Sequence, residues 1–188
     1  MLFNQSTDKE AMLYYLFMAA DGEISYSEKK LFDEICKQIH LSEDVKKEVE
    51  SKCKQLISTD SNVMNIIKEQ KLDEELKSNS AMLFFGRSKT EQAKTIWNLV
   101  NIGYADKHYS QEEKDIVNYF VDVLGVSKEL FQEMIDTADT ILALTKEKDW
   151  VASKYPAGKE KDTKDKELDK EIDKCFKNIK LSIEEIRM

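Results

Sequence analysis

The sequence predicts an all-α protein, a helical bundle built from two related helical units and followed by an amphipathic C-terminal helix. Three observations favour this fold class. The 188 residues include only 5 glycines and 1 proline, and so few turn-forming residues favour long helices. Apolar residues recur at three- and four-residue spacing, as on one face of a helix. A third observation is that part of the sequence repeats.

The repeat is centred on residues 20–28, which return in altered form at residues 105–113, an offset of 85 residues. The same offset aligns flanking apolar positions without a gap: Ile35 with Phe120, Ile39 with Leu124, Val45 with Leu130 and Val49 with Met134. Apolar positions therefore match apolar positions over several helical turns. We interpret residues 7–57 and 88–145 as two copies of one helical unit.

The helices of the first unit each have a start signal. Thr7 with Glu10, and Ser25 with Glu28, have the spacing of capping boxes, and Ser42 is an N-cap candidate. The apolar positions predicted to face the core are Met12, Tyr15, Leu16, Ala19, Leu31, Phe32, Ile35, Ile39, Val45, Val49, Cys53, Leu56 and Ile57.

The connecting segment, residues 58–87, has no counterpart in the repeat. Asp60 or Ser61 is expected to cap a helix that carries Val63, Ile66, Ile67, Leu72 and Leu76. The apolar run at residues 81–86 is expected to be helix or a buried connection.

The second unit repeats the signals of the first. Ser88 with Glu91, and Ser110 with Glu113, form capping-box pairs, and residues 125–127 repeat the turn at residues 40–42. The predicted core positions are Ile96, Trp97, Val100, Tyr104, Ile116, Val117, Phe120, Val121, Leu124, Leu130, Met134, Ala138, Ile141 and Leu142.

The main domain is predicted to cover residues 1–148. A linker that contains Pro156 is predicted at residues 149–158, and a charged amphipathic helix is predicted at residues 159–188. The apolar positions of the last helix approximate a heptad pattern: Leu168, Ile172, Cys175, Ile179, Ile183 and Ile186. Such a helix either packs back on the body or mediates self-association or partner docking through residues 165–188.

Composition narrows the class of function. The net charge of −8 gives no positive field to attract nucleic acid, so no nucleic-acid partner is expected. The three cysteines form no CxxC pair, and no phosphate-loop, dinucleotide-binding, serine-hydrolase or zinc-protease motif is present. A non-enzymatic protein is therefore predicted. No basic region followed by an apolar stretch opens the chain, and a cytoplasmic location is expected.

The repeated motif has the spacing of the second half of an EF-hand loop, an Asp followed by a Glu seven residues later. An EF-hand also needs oxygen ligands four and two residues before the Asp, where this chain has Phe17 and Ala19. A true EF-hand is therefore rejected. The two copies, each an apolar helix followed by Ala-Asp, a serine cap and a Glu, instead resemble the TerB-like domain over residues 8–145.

The resemblance implies an all-helical domain with internal pseudo-symmetry and no known catalytic activity, associated with stress-response complexes such as those of tellurite resistance, at the cytoplasmic side of the membrane. The TerB-like family also includes the N-terminal region of some membrane-linked DnaJ-type co-chaperones. The acidic residues of the family have been proposed to bind divalent cations. Carried over to this chain, they are Asp21, Glu28, Asp106 and Glu113, with calcium or magnesium as the expected ion and other proteins as expected partners.

Two interpretations of these acids remain open at this stage. Glu28 and Glu113 stand at capping-box positions, and Asp21 and Asp106 can accept loop amides, so capping alone explains all four. If the two units pack about a pseudo-twofold axis, the four carboxylates converge, and their repulsion favours a bound cation. Glu23, Glu112 and His108 are candidate additional ligands.

Overall fold

The computed structural model describes residues 5–77 and 88–186, and within these ranges all regular secondary structure is α-helical. The all-α prediction is therefore confirmed. The helices are α1 Gln5–Met18, α2 Tyr26–Gln38, α3 Glu43–Thr59, α4 Val63–Glu69, α5 Leu72–Lys77, α6 Lys89–Tyr104, α7 Gln111–Leu124, α8 Lys128–Lys154 and α9 Lys159–Glu185.

Residues 1–127 form one compact unit, with α1 at its centre. Helix α1 packs against α2, α3, α4, α5, α6 and α7, and every residue from 11 to 18 is at most 4% exposed. A helix that is apolar on all sides is stable only when it is surrounded. The composition of α1 therefore explains its central position.

The first two helices of each copy are related by a pseudo-twofold arrangement, whereas the third helix of the second copy, α8, belongs to another compact unit. Helix α1 packs on α2 as α6 packs on α7, α1 contacts α6, and the cross contacts α2 with α6 and α1 with α7 are both present. The hydroxyl of Thr95 donates to Oε1 of Glu10 at 3.1 Å, and these two residues are equivalent positions, 85 residues apart. Contact between equivalent residues is what a twofold relation produces near its axis.

The start of α1 differs from the prediction. The helix already includes Gln5, so Thr7 does not begin it, and Glu10 is not a cap residue. Glu10 is 6% exposed and accepts hydrogen bonds from the hydroxyls of Tyr14 at 2.5 Å and Thr95 at 3.1 Å. One donor of the same helix, Tyr14, and one of a second helix, Thr95, thus engage the carboxylate that a local capping box would have used.

The described part of the connecting segment, residues 58–77, forms two short helices where one was predicted. Lys71 has a positive φ of 52° and separates α4 from α5. Asn62, not Asp60 or Ser61, caps α4 through its side chain, while Oδ1 of Asp60 accepts from the amide of Asn62 at 2.8 Å. The apolar run at residues 81–86 lies outside the described residues.

Residues 128–188 form the second compact unit, a hairpin of α8 and α9. Lys148 contacts Asp169 at 2.5 Å and Ser182 donates to Glu133 at 2.6 Å, so the two helices run antiparallel. The buried apolar residues of the hairpin are Met134, Ala138, Val151, Ile179 and Ile183. Helix α9 therefore packs along α8, and self-association of α9 stays a prediction.

The division of the chain differs from the predicted boundaries. The domain expected to end at residue 148 is divided by contact after residue 127, because α8 continues without interruption for 27 residues and packs along α9. Residues 149–154, assigned to the linker, are helical, so only residues 155–158 connect α8 to α9. None of the helices in the described part of the chain is long and apolar enough to cross a membrane.

Candidate functional site

The two acidic loops have the same local geometry. Oδ1 of Asp21 accepts from the amide of Glu23 at 3.0 Å, and Oδ1 of Asp106 accepts from the amide of His108 at 2.7 Å. The residue between donor and acceptor is left-handed in both loops, with φ +93° at Gly22 and +70° at Lys107. Each aspartate therefore closes an Asx turn that ends the preceding helix.

The two glutamates close the capping boxes predicted from the sequence. Oε2 of Glu28 accepts from the amide of Ser25 at 2.7 Å, and the amide of Glu28 donates to Oγ of Ser25 at 3.1 Å. Glu113 and Ser110 exchange the equivalent bonds at 2.8 and 3.2 Å, with a further bond from the Ser110 hydroxyl to Oε2 at 2.8 Å. Both boxes satisfy amides that the first turns of α2 and α7 leave free.

The side chains of the two glutamates are buried, and this perturbs their ionisation. Glu28 is 4% exposed and Glu113 is 2% exposed. Burial raises the pKa of Glu113 to about 7, against the hydrogen bonds from Ser110, and the negative charges of Glu28 and Asp21 raise it further. Burial also raises the pKa of Glu28, with additional repulsion from Asp106 and Asp21.

The four predicted acids lie close enough for their charges to affect the pKa values of the two glutamates. Glu28 and Glu113 are equivalent residues that repel each other, and each also interacts with the aspartate of the opposite loop, Asp106 for Glu28 and Asp21 for Glu113. The loops of the two copies therefore face each other, as the pseudo-twofold arrangement requires. Asp21 is exposed and Asp106 is half-buried, so the cluster is accessible from solvent on the aspartate side.

The candidate additional ligands do not enter this cluster as buried groups. Glu23, His108 and Glu112 are all exposed. The side chain of His108 was proposed as a nitrogen ligand, but the structure engages its backbone, whose amide closes the Asx turn on Asp106.

The cluster fits a divalent cation in chemistry but not in its present side-chain arrangement. Carboxylate oxygens are ligands that calcium and magnesium prefer, and in the described part of the chain each of the four acids keeps one oxygen that accepts no hydrogen bond. However, no three His, Cys, Asp or Glu side chains of residues 5–77 and 88–186 are arranged to hold a metal ion. Coordination would require the free oxygens to move towards one point.

One feature of the site was missed by sequence reasoning. A Cβ added to Gly103 would lie 2.7 Å from the ring of Tyr109 and 3.3 Å from the ring of Phe17, so the tyrosine packs directly on the backbone of α6. The repeat contains the signal, because the first copy has Met18 and Ile24 at the positions of Gly103 and Tyr109. From the first copy to the second, Met18 is replaced by the smaller Gly103, and Ile24 is replaced by the larger Tyr109, which fills the space.

Comparison with known proteins identifies the family. The model of the family described as tellurite resistance protein TerB matches residues 8–136, more than half of the chain. Searches of curated proteins and of solved structures return no match. The matched range includes both acidic loops and the capping boxes that follow them, Ser25 with Glu28 and Ser110 with Glu113. The chain is therefore a member of the TerB family.

Proposed function

We propose that this chain is a non-enzymatic TerB-family module that binds a divalent cation, calcium or magnesium, across its paired acidic loops and docks partner proteins. By the family resemblance, the setting is a stress response similar to tellurite resistance, in the cytoplasm at the face of a membrane. The cation would be held by Asp21, Glu28, Asp106 and Glu113. It would offset part of their negative charge and stabilise the contact between the two copies.

The observation that carries the proposal is the pair of equivalent, almost fully buried glutamates that repel each other. A capping box needs no second carboxylate nearby, whereas here the charge of Glu28 raises the pKa of the buried Glu113 in the other copy. Like charges in a poorly hydrated site are unfavourable unless a proton, a cation or a basic group compensates them. A single divalent cation would offset two of the four negative charges at one point.

The test uses substitutions that remove the charge and keep the cap. Glutamine replaces glutamate in a capping box, and asparagine closes an Asx turn as aspartate does. Thermal unfolding of the wild type, of Glu28→Gln/Glu113→Gln and of Asp21→Asn/Asp106→Asn is compared with and without calcium, magnesium and zinc. An ion at about a hundred times its dissociation constant stabilises the fold by roughly 2.7 kcal/mol, about 5–10 °C for a chain of this size.

The proposal predicts a shift with calcium or magnesium in the wild type and in neither double variant. Isothermal titration near pH 7 should also show release of protons, because binding would ionise Glu113, whose pKa is about 7. Equal shifts in wild type and variants would place any ion elsewhere. No shift in the wild type would reject the cation.

A second candidate function is a metal-independent interaction or scaffold module. It is favoured by the caps themselves, since all four acids accept the hydrogen bonds that a purely structural role predicts. In this version the C-terminal helix mediates association. Its seam residues Leu168, Ile172 and Cys175 are half-exposed in the hairpin, so they are available to a partner or to a second copy.

Light scattering after size exclusion tests the second candidate on the full chain. We expect a concentration-dependent dimer or a stable complex that Leu168→Lys/Ile172→Lys disrupts, while Asp21→Asn/Asp106→Asn leaves it intact. A wild type that stays monomeric at high concentration would reject self-association, and a complex that survives the lysine substitutions would place association elsewhere.

A further inference from the structure

We infer that Ile24 and Tyr26, together with the carboxylates of the two acidic loops, form a docking surface for a basic amphipathic segment of another protein. We call Ile24, Tyr26 and the neighbouring carboxylates of Asp21, Glu23 and Asp106 the loop patch. The inference rests on the partner-docking part of the proposed function and does not depend on a bound cation.

Both apolar residues of the loop patch are exposed, Tyr26 far more than Ile24. Tyr26 is 85% exposed and Ile24 is 37% exposed, and only one residue separates them. Within the described part of the chain, no hydrogen bond or ring contact engages Tyr26. Single exposed apolar residues are common on protein surfaces, so exposure alone does not identify a partner site.

The second copy of the repeat provides an internal comparison. The position equivalent to Tyr26 is Gln111, a polar residue, and the position equivalent to Ile24 is Tyr109. The ring of Tyr109 is turned onto Gly103 and Tyr104, with the two tyrosine centroids 4.9 Å apart. The second loop thus has the same caps and the same turn without exposed apolar side chains. The fold therefore does not require Ile24 and Tyr26 to be apolar and exposed.

The charge around Tyr26 defines the class of partner. Tyr26 is the first residue of α2 and lies two residues before Glu28. The negative charges of Asp106 and Asp21 contribute to the raised pKa of Glu28, so both aspartates lie near this helix start. Lys29 of α2 is engaged by Glu50 at 2.5 Å and by Asp33 at 3.4 Å, on the side of α3. Lys30 and Lys107 are exposed near the loops, but the three carboxylates of the loop patch outnumber them. Lys114 of α7 lies over the ring of Tyr109, 5.4 Å from its centroid.

These observations favour a partner that is both positive and apolar. Lysine or arginine side chains would meet the carboxylates, and an apolar residue would cover Tyr26, whose large ring is typical of residues that dominate binding energy. An inorganic cation satisfies the charge but leaves Tyr26 exposed. A basic amphipathic helix, with apolar residues at three- and four-residue spacing, satisfies both.

Fluorescence anisotropy with synthetic peptides tests the inference. The probe is a labelled helical peptide of lysine and leucine with an apolar face. Two control peptides have the same lysines with serine in place of leucine, or glutamate in place of lysine. The test variant, Tyr26→Gln, introduces the residue of the second copy. The matched control is Trp150→Gln, which removes another exposed aromatic ring, 52% exposed, from the second compact unit.

We expect the wild type to bind the lysine–leucine peptide at least tenfold more tightly than either control peptide. Tyr26→Gln should weaken that binding about tenfold, and Trp150→Gln should leave it unchanged. Equal binding of the lysine–serine peptide, or equal losses in the two variants, would overturn the inference in favour of unspecific attraction to an acidic protein.

The same titration separates this inference from the cation proposal. If the wild type shows no thermal shift with calcium or magnesium but binds the peptide through Tyr26, the docking surface stands without the cation. If the cation stabilises the protein and Tyr26→Gln does not affect peptide binding, the docking inference is rejected and the cation site stands.

Discussion

Left-handed backbone positions occur at equivalent points of the two copies, and each copy has a glycine at only one of them. Gly22 is equivalent to Lys107, and Gly125, with φ +67°, is equivalent to His40, with φ +58°. A side chain costs roughly 1–2 kcal/mol in this conformation, and glycine does not. The two copies thus share a backbone path that the residue types alone would not suggest.

Substitutions at His40 and at the equivalent Gly125 measure the conformational cost of a side chain at this left-handed position. His40 is exposed, and a Cβ at Gly125 would meet no atom within 4 Å, so conformation dominates both substitutions. We expect His40→Gly to stabilise the fold by up to about 1 kcal/mol and Gly125→Ala to destabilise it by about 1–2 kcal/mol in urea unfolding. Opposite signs would contradict the assigned backbone conformations.

The close contact of Gly103 with Tyr109 predicts a non-additive pair. Gly103→Ala alone should destabilise the protein by about 1–3 kcal/mol, because the new Cβ would overlap the ring of Tyr109. In a Tyr109→Ile background, which restores the residue type of the first copy, the same change should be neutral or stabilising by up to about 1 kcal/mol, since alanine favours helix more than glycine does.

A double-mutant cycle in urea checks this pair. Additive effects of the two substitutions would contradict the contact. Gly22→Ala serves as a reference. Gly22 has φ +93°, and a Cβ there would meet no atom within 4 Å. The substitution should therefore be destabilising in both backgrounds, because its cost is conformational and does not depend on Tyr109.

At the scale of the elements, the N-termini of α2 and α7 combine a cap with a buried charge. The capping box stabilises the helix start, and an alanine at the glutamate position costs typically about 1 kcal/mol through the lost hydrogen bond. Ionisation of the same glutamate is opposed by burial and by the other acids of the cluster. Each glutamate thus stabilises the start of its own helix through its hydrogen bonds, while its negative charge destabilises the packing of α2 and α7 near the other acids.

This opposition gives a defined pH dependence. The ordinary pKa of Glu113 is 4.5, and in the fold it is about 7, so the unfolded chain releases this proton first as the pH rises. The favourable contribution of protonated Glu113 is therefore complete below pH 4.5 and is lost progressively up to about pH 7, by roughly 2–4 kcal/mol. Glu28, whose pKa is also raised, acts in the same direction.

We expect the free energy of unfolding of Glu113→Gln to exceed that of the wild type at pH 8 and to approach it at pH 4, in the absence of divalent cations. Urea unfolding across this range measures the difference. Parallel profiles of the two proteins would contradict the perturbed ionisation. Glu113→Ala distinguishes the cap from the charge, since it removes both and should be less stable than Glu113→Gln at every pH.

At the scale of the whole molecule, the three cysteines report on the two compact units separately. Cys36 and Cys53 are buried in the first unit, where burial raises the pKa of each thiol to about 12. Cys175 is half-exposed in the α8–α9 hairpin. Because the thiolate is the reactive form, the buried pair should be inert while the first unit is folded.

A chromogenic thiol reagent at pH 8 should therefore modify one thiol per chain rapidly and the other two only on unfolding. Cys175→Ser should abolish the rapid phase. Rapid reaction of two or three thiols in the native protein would contradict the burial of Cys36 and Cys53.

The candidate site shows how far local information extends. Ser25, Glu28, Ser110 and Glu113 were placed correctly as caps, because a capping box depends only on residues three positions apart. The start of α1 was wrong, because Glu10 is engaged by Thr95 on a distant helix. Only the fold could place that donor.

By itself, the sequence determined the helical class, the duplication with its offset of 85 residues and the identity of the four acids, since periodicity, caps and self-similarity are properties of neighbouring residues. The tertiary structure decided that the two loops face each other, that Tyr109 packs on Gly103 and that α8 joins α9 as a separate compact unit. These features depend on which helix faces pack, and many packings are compatible with the same local pattern.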